Sequence, residues 1–69
     1  MIAIPLGSHN PFIFSFLSSY SEKINLIPIQ ELLMLEPIKI NFKLDENLGW
    51  MFEFESEDDY MIFKLRWAP

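Results

Sequence analysis

A small α+β fold is what the sequence predicts, and three patterns carry that reading. Ile38, Ile40, Phe42 and Leu44 alternate with Lys39, Asn41 and Lys43, and after Asp45-Glu46-Asn47-Leu48-Gly49 the alternation resumes as Trp50, Phe52 and Phe54 against Met51, Glu53 and Glu55. Two period-2 runs joined by a short polar loop ending in glycine describe an antiparallel β-hairpin. Ser56-Glu57-Asp58-Asp59 then opens a run that is apolar at helical spacing, and Asn10-Pro11 opens another near the start of the chain. The predicted order is an N-terminal helix, a short helical segment, the hairpin and a capped C-terminal helix, with Met1 to Ile4 as a possible third strand.

Taken from the beginning, Met1-Ile2-Ala3-Ile4 suits a short strand or an apolar arm, and Gly7-Ser8-His9-Asn10 is a loop. Asn10 is a good helix N-cap, and Pro11 suits the first helical position because proline lacks the N–H that would be orphaned there. Ile13, Phe16, Leu17, Tyr20 and Ile24 share one helical face, which extends the helix from Pro11 to about Lys23. A strand with Phe12, Phe14 and Phe16 on one side is the competing pattern; Ser18-Ser19 suits the helix better. Ile24-Asn25-Leu26-Ile27 connects to a second short helix, Ile29 to Leu35, begun by Pro28 and ended by Pro37, since the residue before a proline is biased out of the helical region. Leu32, Leu33, Met34 and Leu35 give that segment no polar face, so full burial or a contact with another chain is expected.

The hairpin register follows from the side-chain period. For Phe42 and Phe52 to share a face, paired residues must have an even index sum. Pairing Leu44 with Trp50 sets Phe42 opposite Phe52 and Ile40 opposite Phe54. On the other face Lys39 then meets Glu55, and Lys43 lies diagonal to Glu53, each pair adding a few tenths of a kcal/mol. Gly49 ends the loop where a positive φ is expected.

The C-terminal helix is marked at both ends. Ser56 is the N-cap and Asp59 stands at capping-box spacing. Glu57, Asp58 and Asp59 favour the positive end of the helix dipole, and Lys64 and Arg66 favour the negative end. Tyr60, Phe63 and Trp67 form one stripe, widened by Met61, Ile62 and Leu65. One part of that stripe should cover the hairpin's aromatic face; the rest needs the N-terminal helix or a second chain.

Sixty-nine residues make one domain, residues 1–69, and 51% of them are hydrophobic. A chain this short buries only about 60% of its unfolded surface, and such domains usually carry a staple. With no cysteine and one histidine, neither a disulfide nor a zinc site supplies it. A dense core or a partner chain remains, and the apolar load points to a homo-oligomer or to a larger protein partner. A net charge of −5 argues against direct nucleic-acid binding, which needs a clustered basic face. Pro5 and Gly7 interrupt the first apolar run, which lacks the basic start of a secretory signal, and no apolar stretch approaches the length of a membrane span. A cytoplasmic location is the default expectation.

No catalytic constellation is present, so an enzyme is the least expected class. His9 lies between Ser8 and Asn10, and neighbours in sequence rarely bring their side chains within reach, which leaves capping or simple exposure. Glu53, Glu55, Glu57, Asp58 and Asp59 put five carboxylates in seven residues. They lack calcium-loop spacing and several are accounted for by capping, so no metal and no cofactor is expected. The functional alternative makes these five a phosphate-like row for a basic groove on a partner. Trp50, Phe52 and Phe54 would suit base stacking only among basic neighbours; beside Glu53 and Glu55 they read as core. Phe12, Phe14, Leu33, Met34 and Trp67 are the expected oligomer contacts. A third option places a small molecule in a dimer cleft lined by Trp50 and Trp67.

The segment Phe54-Glu55-Ser56-Glu57-Asp58-Asp59-Tyr60-Met61-Ile62-Phe63-Lys64-Leu65-Arg66-Trp67 resembles the endings of small uncharacterised proteins of tailed, T4-like marine phages, which share an acidic turn followed by Asp-x-x-x-Phe-Lys-Leu-Arg-Trp. It covers about a fifth of the chain and carries no active-site residues. The resemblance implies a viral accessory or virion-associated protein acting in the host cytoplasm. The functional expectation is a small acidic, non-enzymatic interaction protein that self-associates through its aromatic surface, with an acidic inhibitor of a host enzyme's basic, nucleic-acid-binding groove as the alternative.

Overall fold

The computed structural model describes residues 1–22 and 26–69, and the fold is α+β as the sequence predicts. Strand β1 (Ile2–Pro5) leads through a 3-10 turn, Leu6–Ser8, into helix α1 (Pro11–Ser19). A short helix, α2 (Ile29–Leu33), precedes the hairpin of β2 (Ile40–Asp45) and β3 (Gly49–Phe54), and helix α3 (Glu57–Arg66) follows. The strands form an antiparallel sheet in the order β1-β3-β2.

The hairpin register is the one that alternation and charge require. Leu44 pairs with Trp50, Phe42 with Phe52 and Ile40 with Phe54. Lys39 Nζ lies 3.6 Å from Glu55, and Lys43 Nζ lies 3.9 Å from Glu53. Gly49 has φ 78°, as the end of the loop demands. The N-terminal segment is a strand rather than a loose arm. It pairs Ile2 with Phe54 and Ile4 with Phe52, so β3 is central and its aromatic face is extended by two isoleucines. Pro5 ends β1 on an open edge, where its missing N–H breaks no ladder bond.

Phe16 of α1 is the hub of the core. Its ring lies 5.8 Å from Phe52, 5.8 Å from Phe63, 5.1 Å from Tyr20 and 5.2 Å from Trp67, so one side chain joins the sheet to both long helices. Phe16, Phe52, Phe54 and Phe63 are fully buried, together with Leu32 and Leu33 of α2. Asn10 caps α1 by accepting from the backbone N–H of Phe12 and Ile13, which leaves its amide nitrogen to donate to the Tyr60 hydroxyl at 2.8 Å. One residue therefore starts α1 and ties it to α3. Ser56 caps α3 by accepting from the Asp59 N–H at 3.2 Å.

Both N-terminal helices are shorter than expected. α1 ends at Ser19 because Tyr20 and Ser21 turn their N–H groups to Leu17 and Ser18, the tighter i−3 pattern, and Tyr20 leaves the helical region. Three serines in that last stretch offer weak helix propensity, and the Tyr20 ring lies 5.8 Å from that of Trp67. Lys23, Ile24 and Asn25, which belong to the expected longer helix and its connector, lie outside the described residues. α2 stops at Leu33, and Leu35 and Glu36 likewise donate to the carbonyls three residues back. Leu32 and Leu33 go inside, whereas Met34 and Leu35 are exposed.

That early termination aims Glu36 inward. Its side chain is wholly buried and accepts from Arg66 Nε and an Arg66 Nη, each at 3.2 Å, and from Trp67 Nε1 at 2.6 Å. A buried carboxylate costs several kcal/mol unless its oxygens are paired, and here three donors from the end of α3 meet them. Glu36→Ala removes the acceptor and is expected to destabilise the fold by about 2–4 kcal/mol in urea unfolding. Arg66→Lys, which replaces a two-pronged donor by a point charge, should fall between wild type and Glu36→Ala. Equal stability of all three proteins would show that the clamp contributes nothing.

Candidate functional site

The helices cover one end of the sheet's aromatic face and leave the other end open. Ile40, Phe52 and Phe54 are buried under Phe16, Leu33 and Phe63. At the hairpin tip Leu44, Leu48 and Trp50 are exposed, at 60%, 58% and 48%. The alternation that builds the core simply runs past the last covering residue. Phe42 and Trp50 stack at 4.5 Å with planes 10° apart, which fixes the indole as a flat apolar ledge. Of the three aromatic residues on β3, Phe52 and Phe54 are core, and Trp50 belongs to this surface.

The ledge is held by the loop beneath it. Asp45 accepts from the backbone N–H groups of Asn47 at 2.8 Å and Leu48 at 2.9 Å. The Leu48 N–H, then the Asn47 N–H, hold the Asp45 carboxyl below its ordinary range, with a smaller contribution from Lys43. These bonds hold the Asn47-Leu48 backbone and close the turn onto Gly49.

The residues expected at an oligomer contact are divided by the structure. Leu33 is buried within the chain's own core, at 1% exposure, and so is not available on the surface; α2 packs it inward against β2. Trp67 is half-buried, lying against Phe16 and Tyr20 with its N–H on Glu36, so it serves the core first. Phe12 is half-buried with Lys64 Nζ 5.9 Å from its ring. Phe14 and Met34 are exposed. Phe14 lines a groove of about 560 Å³ with His9, Pro11, Ser15, Ser18 and Pro69. His9 is exposed there, in the left-handed region at φ 58°. A second groove of about 420 Å³ lies between the end of α2 and the start of β2, lined by Leu33, Met34, Ile38, Lys39, Ile40 and Asn41. Neither groove is lined by Trp50 or Trp67.

On α3 the stripe divides too. Phe63 is buried and Tyr60 and Trp67 are half-buried, while Met61, Ile62 and Leu65 face outward. Neither α1 nor the sheet covers those three, contrary to one of the two expected ways of burying them.

The five acids do not form one row. Glu53 and Glu55 project from the sheet face opposite α3 and are paired with Lys43 and Lys39. Glu57 and Asp58 are exposed at the start of α3 with no ion-pair partner among the described residues, and Asp59 is half-buried behind the Ser56 cap. Among the described residues no group of three His, Cys, Asp or Glu side chains is placed to hold a metal ion. No helix among them is long and apolar enough to cross a membrane.

Sequence reasoning missed Glu36. Its signal was a lone acid inside Leu32-Leu33-Met34-Leu35-Glu36-Pro37, in a segment with no polar face to place it on. Comparison with protein-family models, with curated proteins and with solved structures gave no significant match.

Asp45 gives a pH test of the loop. Its folded value is depressed, so its stabilising bonds are fully present above the ordinary Asp value and are lost as pH falls through the lower folded value. The amide resonances of Asn47 and Leu48 should titrate with a midpoint below that of the same segment as a free peptide. Asp45→Asn should abolish that titration. A midpoint at or above the peptide's contradicts the assignment.

Proposed function

We propose that the protein is a non-enzymatic interaction protein that self-associates through its exposed apolar surface, in the viral accessory or virion-associated setting that the phage resemblance implies. The observation that carries this reading is the uncovered end of the sheet. Leu44 and Trp50 are paired on one face of the hairpin and exposed, Leu48 is exposed in the loop beside them in the chain, and Trp50 is pre-ordered by its stack on Phe42. Large aromatic side chains fixed in advance lose little entropy on binding and dominate interface energetics. A chain with net charge −5 is kept soluble by its acids while that surface stays open.

The acidic alternative rests on Glu57 and Asp58, which carry exposed charge at the start of a helix, with Glu53 and Glu55 already engaged by lysines. It is the weaker reading because charges that would have to act together stand on opposite sides of the sheet.

Native mass spectrometry or sedimentation at micromolar concentration should show a homo-oligomer. Leu44→Ser combined with Trp50→Ser should weaken it by about 10-fold or more in Kd, roughly 1.4 kcal/mol, with little change in the folded spectrum. A monomer at micromolar concentration overturns self-association. Glu57, Asp58 and Asp59 replaced together by serine should leave the oligomer intact; loss of host-protein capture by that variant would favour the acidic alternative.

A further inference from the structure

We infer that the self-association surface is the open edge of β2, and that its occupant is β2 of a second copy, paired antiparallel about a two-fold axis at Phe42. This rests on the self-association reading above and adds its geometry. Sheet order β1-β3-β2 leaves β2 on an edge, and among the described residues no backbone or side-chain hydrogen bond reaches its outward N–H and C=O groups. An edge of this kind is a ready template for another strand. The other edge, β1, is four residues long and ends in Pro5, which cannot donate.

Side-chain pattern and charge choose the register. Keeping the apolar faces together requires an even index sum for paired residues. A sum of 82 sets Lys39 against Lys43 of the second copy, and a sum of 86 sets Lys43 against its own counterpart; like charges directly opposite are unfavourable. A sum of 84 avoids both; a sum of 88 also sets Lys43 opposite Asp45, but it pairs only residues 43–45 of the strand, against residues 40–44 for a sum of 84. The sum of 84 sets Lys39 opposite Asp45 of the second copy, twice by symmetry, and Asn41 opposite Lys43. Asp45 uses Oδ1 for the loop bonds, which leaves Oδ2 for the incoming lysine.

The same register is sterically self-complementary. It places Leu44 of the second copy opposite Ile40, beside the groove lined by Leu33, Met34, Ile38 and Ile40. Leu44 is exposed in the single chain and the groove is open, so each copy offers a knob and receives one. Phe42 meets its counterpart on the axis, next to the Trp50 stack, and the apolar ledges of the two copies become continuous. Recognition of a strand by a sheet edge combines main-chain bonds with pockets for alternate side chains, and both are present here.

The chain has no cysteine, so introduced thiols report alone. Asn41→Cys and Lys43→Cys lie on the exposed side of β2, away from the core. Directly opposed residues fall within disulfide reach and diagonal ones do not. A mixture of the two variants under mild oxidation should give a disulfide-linked heterodimer, and neither variant alone should. Cross-linking of Asn41→Cys with itself would move the register to a sum of 82, and of Lys43→Cys with itself to 86; either overturns the proposed axis. An oligomer by native mass spectrometry with no cross-link in any sample overturns β2 pairing while leaving self-association standing. A monomer overturns both. In the unmodified protein, backbone amides of Asn41 to Asp45 should exchange more slowly as concentration rises, and concentration-independent exchange there contradicts the pairing.

Discussion

The fold depends on where Phe16 can sit. A three-stranded sheet this small has one face to bury, and its central strand brings Phe52 and Phe54 to that face. Phe16 enters edge-on to Phe52 and meets Phe63 from α3, so the two long helices and the sheet share a single aromatic contact. The sheet and α3 also meet directly, through Phe54 with Phe63 and Tyr60, so removing the Phe16 ring would loosen α1 from both while leaving that contact in place. Close-packed interiors transmit such changes because voids are not refilled. The position of α1 is then secured at its own start, where Asn10 both caps the helix and donates to Tyr60.

Glu36 closes the same core at its other end. A carboxylate with no exposed surface, between Arg66 and the Trp67 indole, is favourable only because three donors converge on it. The pairing is directional, so it determines which way the chain leaves α2 and how far α3 must extend. Arg66 is a cation at the helix C-terminus, and its partner there is a specific buried acid as well as the helix dipole. The covering of the sheet is concentrated between Phe16 and this clamp.

The consequence appears at the hairpin tip. With the helices gathered over Ile40, Phe52 and Phe54, the next turn of the same apolar face has no cover, and Leu44, Leu48 and Trp50 stay at the surface. The edge of β2 is open along the same side of the molecule. Unpaired edge groups, Lys39 just before the strand and Asp45 at its end, and Leu44 with a groove beside Ile40 are the features on which the proposed strand pairing rests. Glu53 and Glu55 contribute differently: their pairs with Lys43 and Lys39 hold the outer face of the hairpin in register rather than presenting free negative charge.

The sequence by itself determined the hairpin, its register, its lysine–glutamate pairs, the glycine at the loop's end, and the caps on α1 and α3. Each depends on residues close in sequence or on strict alternation, and local physics acts there directly. It also placed Ile13, Phe16, Leu17 and Tyr20 on one face of the N-terminal helix. Only the tertiary structure decided the rest. α1 ends at Ser19, where Tyr20 lies against Trp67 from the far end of the chain, and α2 ends at Leu33, where Glu36 turns to Arg66 and Trp67, thirty residues away in the chain. The same long-range packing sent Leu33 inside and Met34 outside, although both belong to one unbroken apolar run. Composition could count apolar side chains, but which of them remain exposed depends on where a few covering rings come to rest.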